Sequence, residues 1–481
     1  MKKRWFASAT PESVGISSAG IQKLIDAMCF YEPGRETHGF MIIRNRKIVA
    51  EGSFAPFTDD PHVIHSCTKA FTATAIGFAQ QEGLLHVDDP IMNYLSDLAP
   101  AEHAPELDRL TIRHLLTMSN GHAVNVFRRP CHEISPAELK RNFMAAPFGC
   151  EPGSKFAYNN TNSYMMAEII RRLTGKDPMY YLRPRLLNKL GIEPSYQTDT
   201  DGMFMGYGHM RLTREELARF GQFYMDGCVW EGERLLPEAW AKEATGFQIA
   251  TTSLGGTPGK NPDWDAGYAF HMWRGQHDGF RFCGAYGQIC ACYPKYDLMF
   301  CLNSGSTKEV QELLTAFYEY ILLPLQENLP ENPEALVELR RRCETLALPS
   351  VFSAPSPMVP RITGKTWALE NCGNVTAATL DFTEDICRIR LDFHNGGNFT
   401  FDAGLKAIAK TDCSNTHVVA LQPRDEAICA ASAAWTQLNE LQVTARMLPT
   451  HTMFYLKFTF TADGCTLEPT MHRAYPFGTV G

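Results

Sequence analysis

The sequence predicts an α+β protein: an antiparallel sheet flanked by helices, a helical insertion within it, and a separate all-β domain at the C-terminal end. Three observations carry this reading. The first 325 or so residues run in the order helix, hairpin, long helical stretch, strands and final helix, with no repeated βαβ spacing. Pro330, Pro333, Pro349, Pro355, Pro357 and Pro360 then mark a linker. Beyond them, strand-like runs separated by Gly, Asn and Asp turns take over. The expected divisions are 1–328, a linker over 329–360, and 361–481.

Ser18 to Phe30 places Ile21, Leu24, Ile25 and Met28 at helical spacing behind a serine cap at Ser17 or Ser18. His38–Ile43 and Lys47–Phe54 are apolar runs either side of Arg44-Asn45-Arg46, a hairpin. A buried helix follows Ser66, marked by Phe71, Ala75 and Phe78. Pro90 opens a short helix through Leu95, and Thr111–Met118 forms another, stopped at Ser119-Asn120-Gly121. After the turn at Glu151–Ser154, helices are expected from Thr161 to Leu173, over 178–190 and over 213–225, closed by Gly175, Gly191 and Gly227. Gly246–Asp265 reads as a loop. Strands are expected at Gly267–Trp273, Phe280–Cys283, Gln288–Tyr293 and Leu298–Leu302, then a helix at Lys308–Leu323. Within the linker, Ala335–Glu344 is helical and charged. The last domain shows strands at Thr366–Glu370, Ala377–Phe382, Ile386–Phe393, Asn398–Phe401, Asn439–Leu448 and Thr452–Thr461, which read as a small barrel.

A chain of 481 residues exceeds one ordinary core, and 44% apolar with 20% charged residues describes a soluble globular protein. A net charge of −8 without a basic run gives no reason to expect nucleic acid. Met1–Phe6 has the charge of a signal peptide but not its apolar stretch, and no run reaches the length that spans a bilayer. The expectation is a cytoplasmic protein with no membrane partner. Fifteen cysteines, an odd number, suit reduced and mostly buried thiols. Cys290 and Cys292 alternate along a strand with no histidine pair near by in sequence, so no metal and no cofactor are expected.

The stretch with chemical potential is His65-Ser66-Cys67-Thr68-Lys69. Ser66 heads the buried helix, and Lys69 lies one turn on, on the same face. A helix N-terminus favours developing negative charge and offers unpartnered amides. A buried lysine loses part of its preference for the charged form and takes a proton from a hydroxyl. Taken alone, the pattern fits an N-cap serine and a surface lysine equally well. Likewise Tyr158 alone reads as a core aromatic, and Asn160 as a helix cap.

Their order changes the weighing. Ser66-Cys67-Thr68-Lys69, Tyr158-Asn159-Asn160 and Gly284-Ala285-Tyr286-Gly287-Gln288 follow one another within one α+β region. Together they resemble the penicillin-recognising serine hydrolases, most closely the branch of class C β-lactamases, D,D-peptidases and related esterases and amidases. The resemblance covers roughly residues 12 to 325. It implies that Ser66 attacks a carbonyl to form an acyl-enzyme, with Lys69 and Tyr158 sharing the general-base work. It implies that Asn160 faces the substrate or Lys69, and that the backbone N–H groups of Ser66 and Gln288 form the oxyanion hole. The all-β region resembles the small lipocalin-like barrels attached to some esterases and D-aminopeptidases of this family.

The third motif departs from the pattern. β-Lactamases and D,D-peptidases of this type usually carry Lys-Thr-Gly there, and the esterases and amidases often begin it with histidine. Here Ala285-Tyr286-Gly287 stands in its place, without the cation that would hold a substrate carboxylate. Arg274, His277 and Arg281 lie near in sequence, and Arg281 alternates with Phe280 and Phe282 so as to leave the apolar face. Tyr286 and Trp273 either line an apolar pocket or simply pack. The leading reading is a serine hydrolase cleaving a small ester or amide, including short or D-residue-containing peptides. Its rivals are a β-lactamase or D,D-carboxypeptidase, and a catalytically silent binding protein on the same scaffold. The sequence carries no signal for an oligomeric state.

Overall fold

The computed structural model describes residues 4–30, 35–126, 134–251, 259–306, 310–370, 372–413, 428–462 and 464–471. Its central sheet grows from the N-terminal hairpin. Asn45 and Arg46 both take left-handed backbone angles (φ 51° and 57°), giving a two-residue turn whose twist suits the flanking strands. The sheet contains β1 (Ala7–Ser8), β2 (Thr37–Arg44), β3 (Lys47–Ser53), β4 (Trp273–Arg274), β5 (Phe280–Gly284), β6 (Gln288–Tyr293) and β7 (Leu298–Ser304), in the spatial order β1-β3-β2-β7-β6-β5-β4. All pairs are antiparallel except the short β1–β3 contact.

Both faces of the sheet are covered, which is why its strands are apolar on both sides. Met41 and Ile43 of β2 join one core cluster, whereas Phe40 and Ile42 join the other. On the first face lie α2 (Thr68–Gln81), α3 (Asn160–Thr174) and α4 (Arg214–Met225). On the second lie α1 (Ser18–Cys29), α5 (Gln311–Phe317, continued by a π-turn at Tyr318–Leu322) and α6 (Pro333–Glu344). Caps fix the helix starts: Ser17 accepts from Gly20 N–H, and Thr213 with Glu216 closes a capping box on α4. Gly175 ends α3 at φ 66°.

The proline-rich segment does not hang free of the sheet domain. Leu339, Leu346 and Leu348 enter the second core cluster, and Ala55 N–H donates to Leu346 O while Leu348 N–H donates to Ala55 O.

Among the described residues, the C-terminal region forms a nearly closed β-barrel of nine strands: β8 (Lys365–Ala368), β9 (Val375–Phe382), β10 (Ile386–Phe393), β11 (Asn398–Gly404), β12 (Ala409–Asp412), β13 (Ile428–Gln437), β14 (Glu440–Leu448), β15 (Met453–Phe460) and β16 (Cys465–Met471). It has its own core, including Phe401, Leu441, Val443, Leu456 and Phe458. Ala430 and Leu448, however, belong to the core cluster of the central sheet, so the barrel is packed onto the sheet domain.

Two expectations need correcting. Gly267–Trp273 is not a continuous strand; only Trp273–Arg274 joins the sheet, while Tyr268 makes isolated bridges to Ile249 and Trp273, because Gly267 (φ 103°) and His271 (φ 57°) bend the chain and Ala269 N–H closes a turn onto Met272 O. Strand β13, ten residues long, is absent from the sequence expectations, as are β12 and β16. The loop read at Gly246–Asp265 is described except for 252–258, and the start of the helix read at Lys308 lies outside the described residues.

Candidate active site

Ser66 sits in a single 3-10 turn, His65–Cys67, that runs straight into α2. The turn is held from below by a short strand pair, His62–Val63 with Arg211–Leu212. It is approached from the side by the end of β5: a Cβ on Gly284 would lie 2.3 Å from Ile64 O, so only glycine allows that approach. His65 itself is left-handed, at φ 46°.

Lys69 is fully buried, and its Nζ donates to Ser66 Oγ at 2.8 Å and to Tyr207 O at 2.7 Å. The helical spacing of the two residues makes that contact a property of the backbone. Nζ also lies 4.9 Å from the ring centroid of Tyr158. That ring stacks on Trp273 (6.1 Å, 14° between planes) and meets Tyr268 edge-on. Ser66 and Tyr158 are partly exposed, so solvent reaches the hydroxyl side of a lysine that it does not reach directly.

The N-cap of α3 is Asn159, whose side chain accepts from Thr161 N–H; Asn160 is the first helical residue. Its Oδ1 is buried and takes no hydrogen bond from the chain, which leaves that acceptor for a ligand or water. Behind it, Ser163 Oγ donates to His271 Nε2 at 2.9 Å, and His271 Nδ1 donates to Leu116 O at 3.0 Å. Burial, reinforced by the charge of Lys69, pushes His271 down to about 3, so it is a neutral ring in this wall.

The third motif forms the end of the β5–β6 hairpin. Gly284 closes β5, Ala285–Gly287 make a 3-10 turn with Tyr286 left-handed (φ 64°), and Gln288 opens β6. Ala285 is exposed and Tyr286 partly so. Gln288 is fully buried: its Nε2 donates to Ser304 O at 2.5 Å, and its Oε1 accepts from Asn303 Nδ2 at 3.2 Å. Gly287 (φ 83°) packs so tightly that a Cβ would fall within 3.0 Å of Val310 and Ser304.

Of the remaining predicted residues, Trp273 is brought to the site and Arg281 is not. Arg281 is 2% exposed. Its guanidinium donates to Arg274 O and, at 2.9 Å, to Asp263 O, and it sits 3.7 Å from the Asp263 carboxylate. Asp263 also accepts from Tyr318 Oη at 2.5 Å and Gln311 Nε2 at 2.7 Å. Burial raises the Asp263 carboxyl, but Arg281 and these hydroxyl and amide donors outweigh it and hold the group below the usual carboxylate range. Arg274 donates to Thr245 O, and His277 packs edge-on against Tyr318.

Sequence reasoning missed the residues that reach the site from the barrel. His451, in the turn between β14 and β15, makes a 2.8 Å hydrogen bond with His65 Nε2 through its Nδ1. Its ring stacks on Tyr286 at 3.8 Å and 12°. Close by, Arg446 pairs with Glu36 at 2.7 and 2.9 Å, both side chains 2% exposed or less. His38 contacts Glu36 (3.3 Å) and His62 (3.0 Å), linking that pair to the strand beneath Ser66. No local pattern marks a partner 386 residues away. Cys290, Cys292 and Cys301 lie together as buried thiols beneath Gly221, and among the described residues no group of His, Cys, Asp and Glu could hold a metal ion. None of the described helices is long and apolar enough to cross a membrane.

A sheet covered on both faces, with a serine–lysine turn at its edge and a tyrosine opposite, defines a class of protein. The chain belongs to the Beta-lactamase family, whose model matches residues 30–319. It is 26% identical over 244 residues to a 6-aminohexanoate-dimer hydrolase of Paenarthrobacter ureafaciens, a match that takes in 46% of this chain and 60% of that one. An uncharacterised protein of Alkalihalophilus pseudofirmus is also 26% identical, over 44% of this chain and 65% of its own length. The chain thus spans about three fifths of the length of the curated relatives it matches. Among solved structures, a penicillin-binding protein homologue of Caulobacter crescentus superposes with a TM-score of 0.52 at 16% identity, over 66% of this chain and 99% of that one. EstCE1, a hydrolase with promiscuous acyltransferase activity, does so at 0.51 and 13%, over 63% and 99%. These two likenesses concern the fold.

Proposed function

We propose that this protein is a serine hydrolase that cleaves a small ester or amide through an acyl-enzyme on Ser66. The observation that carries the reading is the 2.8 Å contact between Lys69 Nζ and Ser66 Oγ, made by a fully buried lysine to a partly exposed serine. Lys69 and Tyr158 act as the general base. The serine proton passes to that pair as Oγ bonds to the carbonyl carbon, and returns to the leaving oxygen or nitrogen as the tetrahedral intermediate collapses. Water then attacks the ester by the same route. The oxyanion is held by the backbone N–H groups of Ser66 and Gln288, the latter at the hairpin end that Gly284 lets pack beside the serine turn. Asn160 Oδ1 accepts a hydrogen bond from substrate.

Neutral substrates suit the site better than carboxylated ones. Ala285 supplies no cation, and Arg281 is committed to Asp263 inside the fold. A charge-assisted hydrogen bond is worth about 1.5–3 kcal/mol, roughly 10- to 150-fold in rate. Its absence disfavours the β-lactamase and carboxypeptidase readings. The relative named for hydrolysing the dimer of an amino acid supports the amide arm of the proposal.

The test is a fluorophosphonate probe read by intact-mass and peptide mass spectrometry, beside a panel of p-nitrophenyl esters, aminoacyl-p-nitroanilides and a chromogenic cephalosporin. One adduct on Ser66 is expected, lost with turnover in Ser66→Ala. Labelling at another residue, undiminished in Ser66→Ala, would overturn the assignment.

A further inference from the structure

The turn Leu448–Thr452 belongs to the barrel, yet its tip is buried at the edge of the candidate active site. Thr450, His451 and Thr452 are 4%, 5% and 3% exposed. The turn is stiff. Thr450 donates to Met447 O through both its N–H (2.9 Å) and its hydroxyl (2.8 Å), and Thr452 N–H donates back to Thr450 Oγ1 at 3.1 Å. It is also fastened to the sheet domain from two sides. Val63 N–H donates to Pro449 O at 3.3 Å, and the buried Arg446–Glu36 pair anchors the strand leading in.

What the tip touches decides its role. His451 Nδ1 bonds to His65 Nε2 at 2.8 Å, while the same ring lies flat on Tyr286 at 3.8 Å. His65 shares the peptide unit that presents Ser66 N–H. Tyr286 stands inside the hairpin end that offers the second oxyanion donor. Both residues are non-glycine and left-handed, at φ 46° and 64°. Such conformations persist only when the surroundings over-determine them. One side chain from a different part of the chain therefore spans the gap between the two segments and holds both at once. An oxyanion hole depends on amides fixed in advance at the position the oxygen will occupy, so a support that sets the separation of the two segments acts on the transition state more than on the bound substrate.

We propose, resting on the acyl-enzyme reading above, that His451 is a positioning residue for the reaction: the barrel completes the oxyanion hole of the sheet domain by clamping His65 and Tyr286. The experiment uses full-length protein with the best p-nitrophenyl ester from the panel, an arylboronic acid as a tetrahedral analogue, and the fluorophosphonate. His451→Phe keeps a ring for the stack on Tyr286 but loses the bond to His65. His451→Gln keeps a hydrogen-bonding end for His65. For His451→Phe, kcat should fall about 10- to 100-fold, below the 10²–10³ expected for losing a donor outright. KM should stay within about twofold, and boronate affinity should fall in proportion to kcat/KM. His451→Gln should recover most of that loss.

Thr450→Val, which loosens the turn without touching His65 or Tyr286, should show a smaller loss in the same direction. It carries the test if His451→Phe does not fold. Folded variants whose kcat and boronate affinity match wild type would overturn the proposal, as would a loss confined to KM. Failure of the underlying reading looks different: wild type would then give no adduct on Ser66. An adduct on Ser66 that forms at one rate in all variants would sink the clamp alone.

Discussion

Two buried cations lie near the edge of the central sheet, and they differ in what surrounds them. Arg281 is closed in, beside the Asp263 carboxylate, with Trp264 and Trp273 near its guanidinium plane. Lys69 bonds a partly exposed serine hydroxyl and a backbone carbonyl, with a partly exposed tyrosine ring 4.9 Å away. A buried charge beside an opposite charge and hydrogen-bonded on several sides is a structural device. A buried amine whose hydrogen bond points at an accessible hydroxyl fits the base role proposed above, once it is unprotonated. Charge and burial alone do not separate a scaffold cation from a working one; the partner does.

Breaking each side should therefore give different losses. Lys69→Met should lower kcat/KM by about 10³- to 10⁴-fold, the upper part of the range for a general base, with the thermal transition still cooperative. Retained turnover at neutral pH would remove Lys69 from the mechanism. Asp263→Ala should instead destabilise the fold by about 3–5 kcal/mol, because Arg281 is left buried and unpaired, while kcat/KM of the folded fraction changes little. Chemical denaturation and steady-state kinetics on the same sample separate the two. A large kinetic effect without loss of stability would place Arg281 in the site after all.

Tyr158→Phe sharpens the Lys69 side. It keeps the ring on Trp273 and removes only the hydroxyl, so about 10²-fold in kcat should be lost with stability near wild type. The smallest effect concerns His271. Its folded value, about 3, lies below the ordinary 6.5, so between those values the unfolded chain binds a proton that the folded chain does not. Stability is thus complete above about 6.5 and falls as the pH drops. From pH 6.5 to 5.5 this histidine alone should cost about 1 kcal/mol. Unfolding free energies from denaturant titrations of wild type and His271→Gln should differ by that amount in their change between the two pH values, and equal changes would show that the folded ring titrates as it does in the unfolded chain.

The same contrast explains what the sequence reveals. The Ser66–Lys69 contact is legible because it lies one helical turn away, and regular geometry fixes it. The apolar runs of β2, β6 and β7 are legible because burial on both faces leaves little but apolar residues. Strand β13 hides for the opposite reason: Ile-Cys-Ala-Ala-Ser-Ala-Ala-Trp-Thr-Gln is rich in alanine, which has weak strand preference, and pairing with β14 settles its conformation. The false strand at Gly267–Trp273 has the right apolar content, but the left-handed angle at His271 is set by tertiary contacts. Arg281 follows strand alternation correctly away from Phe280 and Phe282, yet alternation cannot show that Asp263 and two tryptophans wait on the other side. His451 is the extreme case, a site neighbour with no periodicity, motif or proximity to announce it.

The position of β2 also has a consequence for how the protein is made. Its inner neighbour is β7, so Leu298–Ser304 must leave the ribosome before Thr37–Arg44 gains its second partner. About 250 residues separate them, and at roughly 5–20 residues per second the apolar edge Phe40-Met41-Ile42-Ile43 waits some 12–50 s for its cover. The Arg446–Glu36 pair, 410 residues apart, forms later still. The nascent chain therefore carries an unpaired, largely apolar strand edge through about half of its synthesis, the kind of surface that invites pairing with another chain. Yield in a heterologous host should depend on chaperone capacity during that interval more than on the stability of the finished protein.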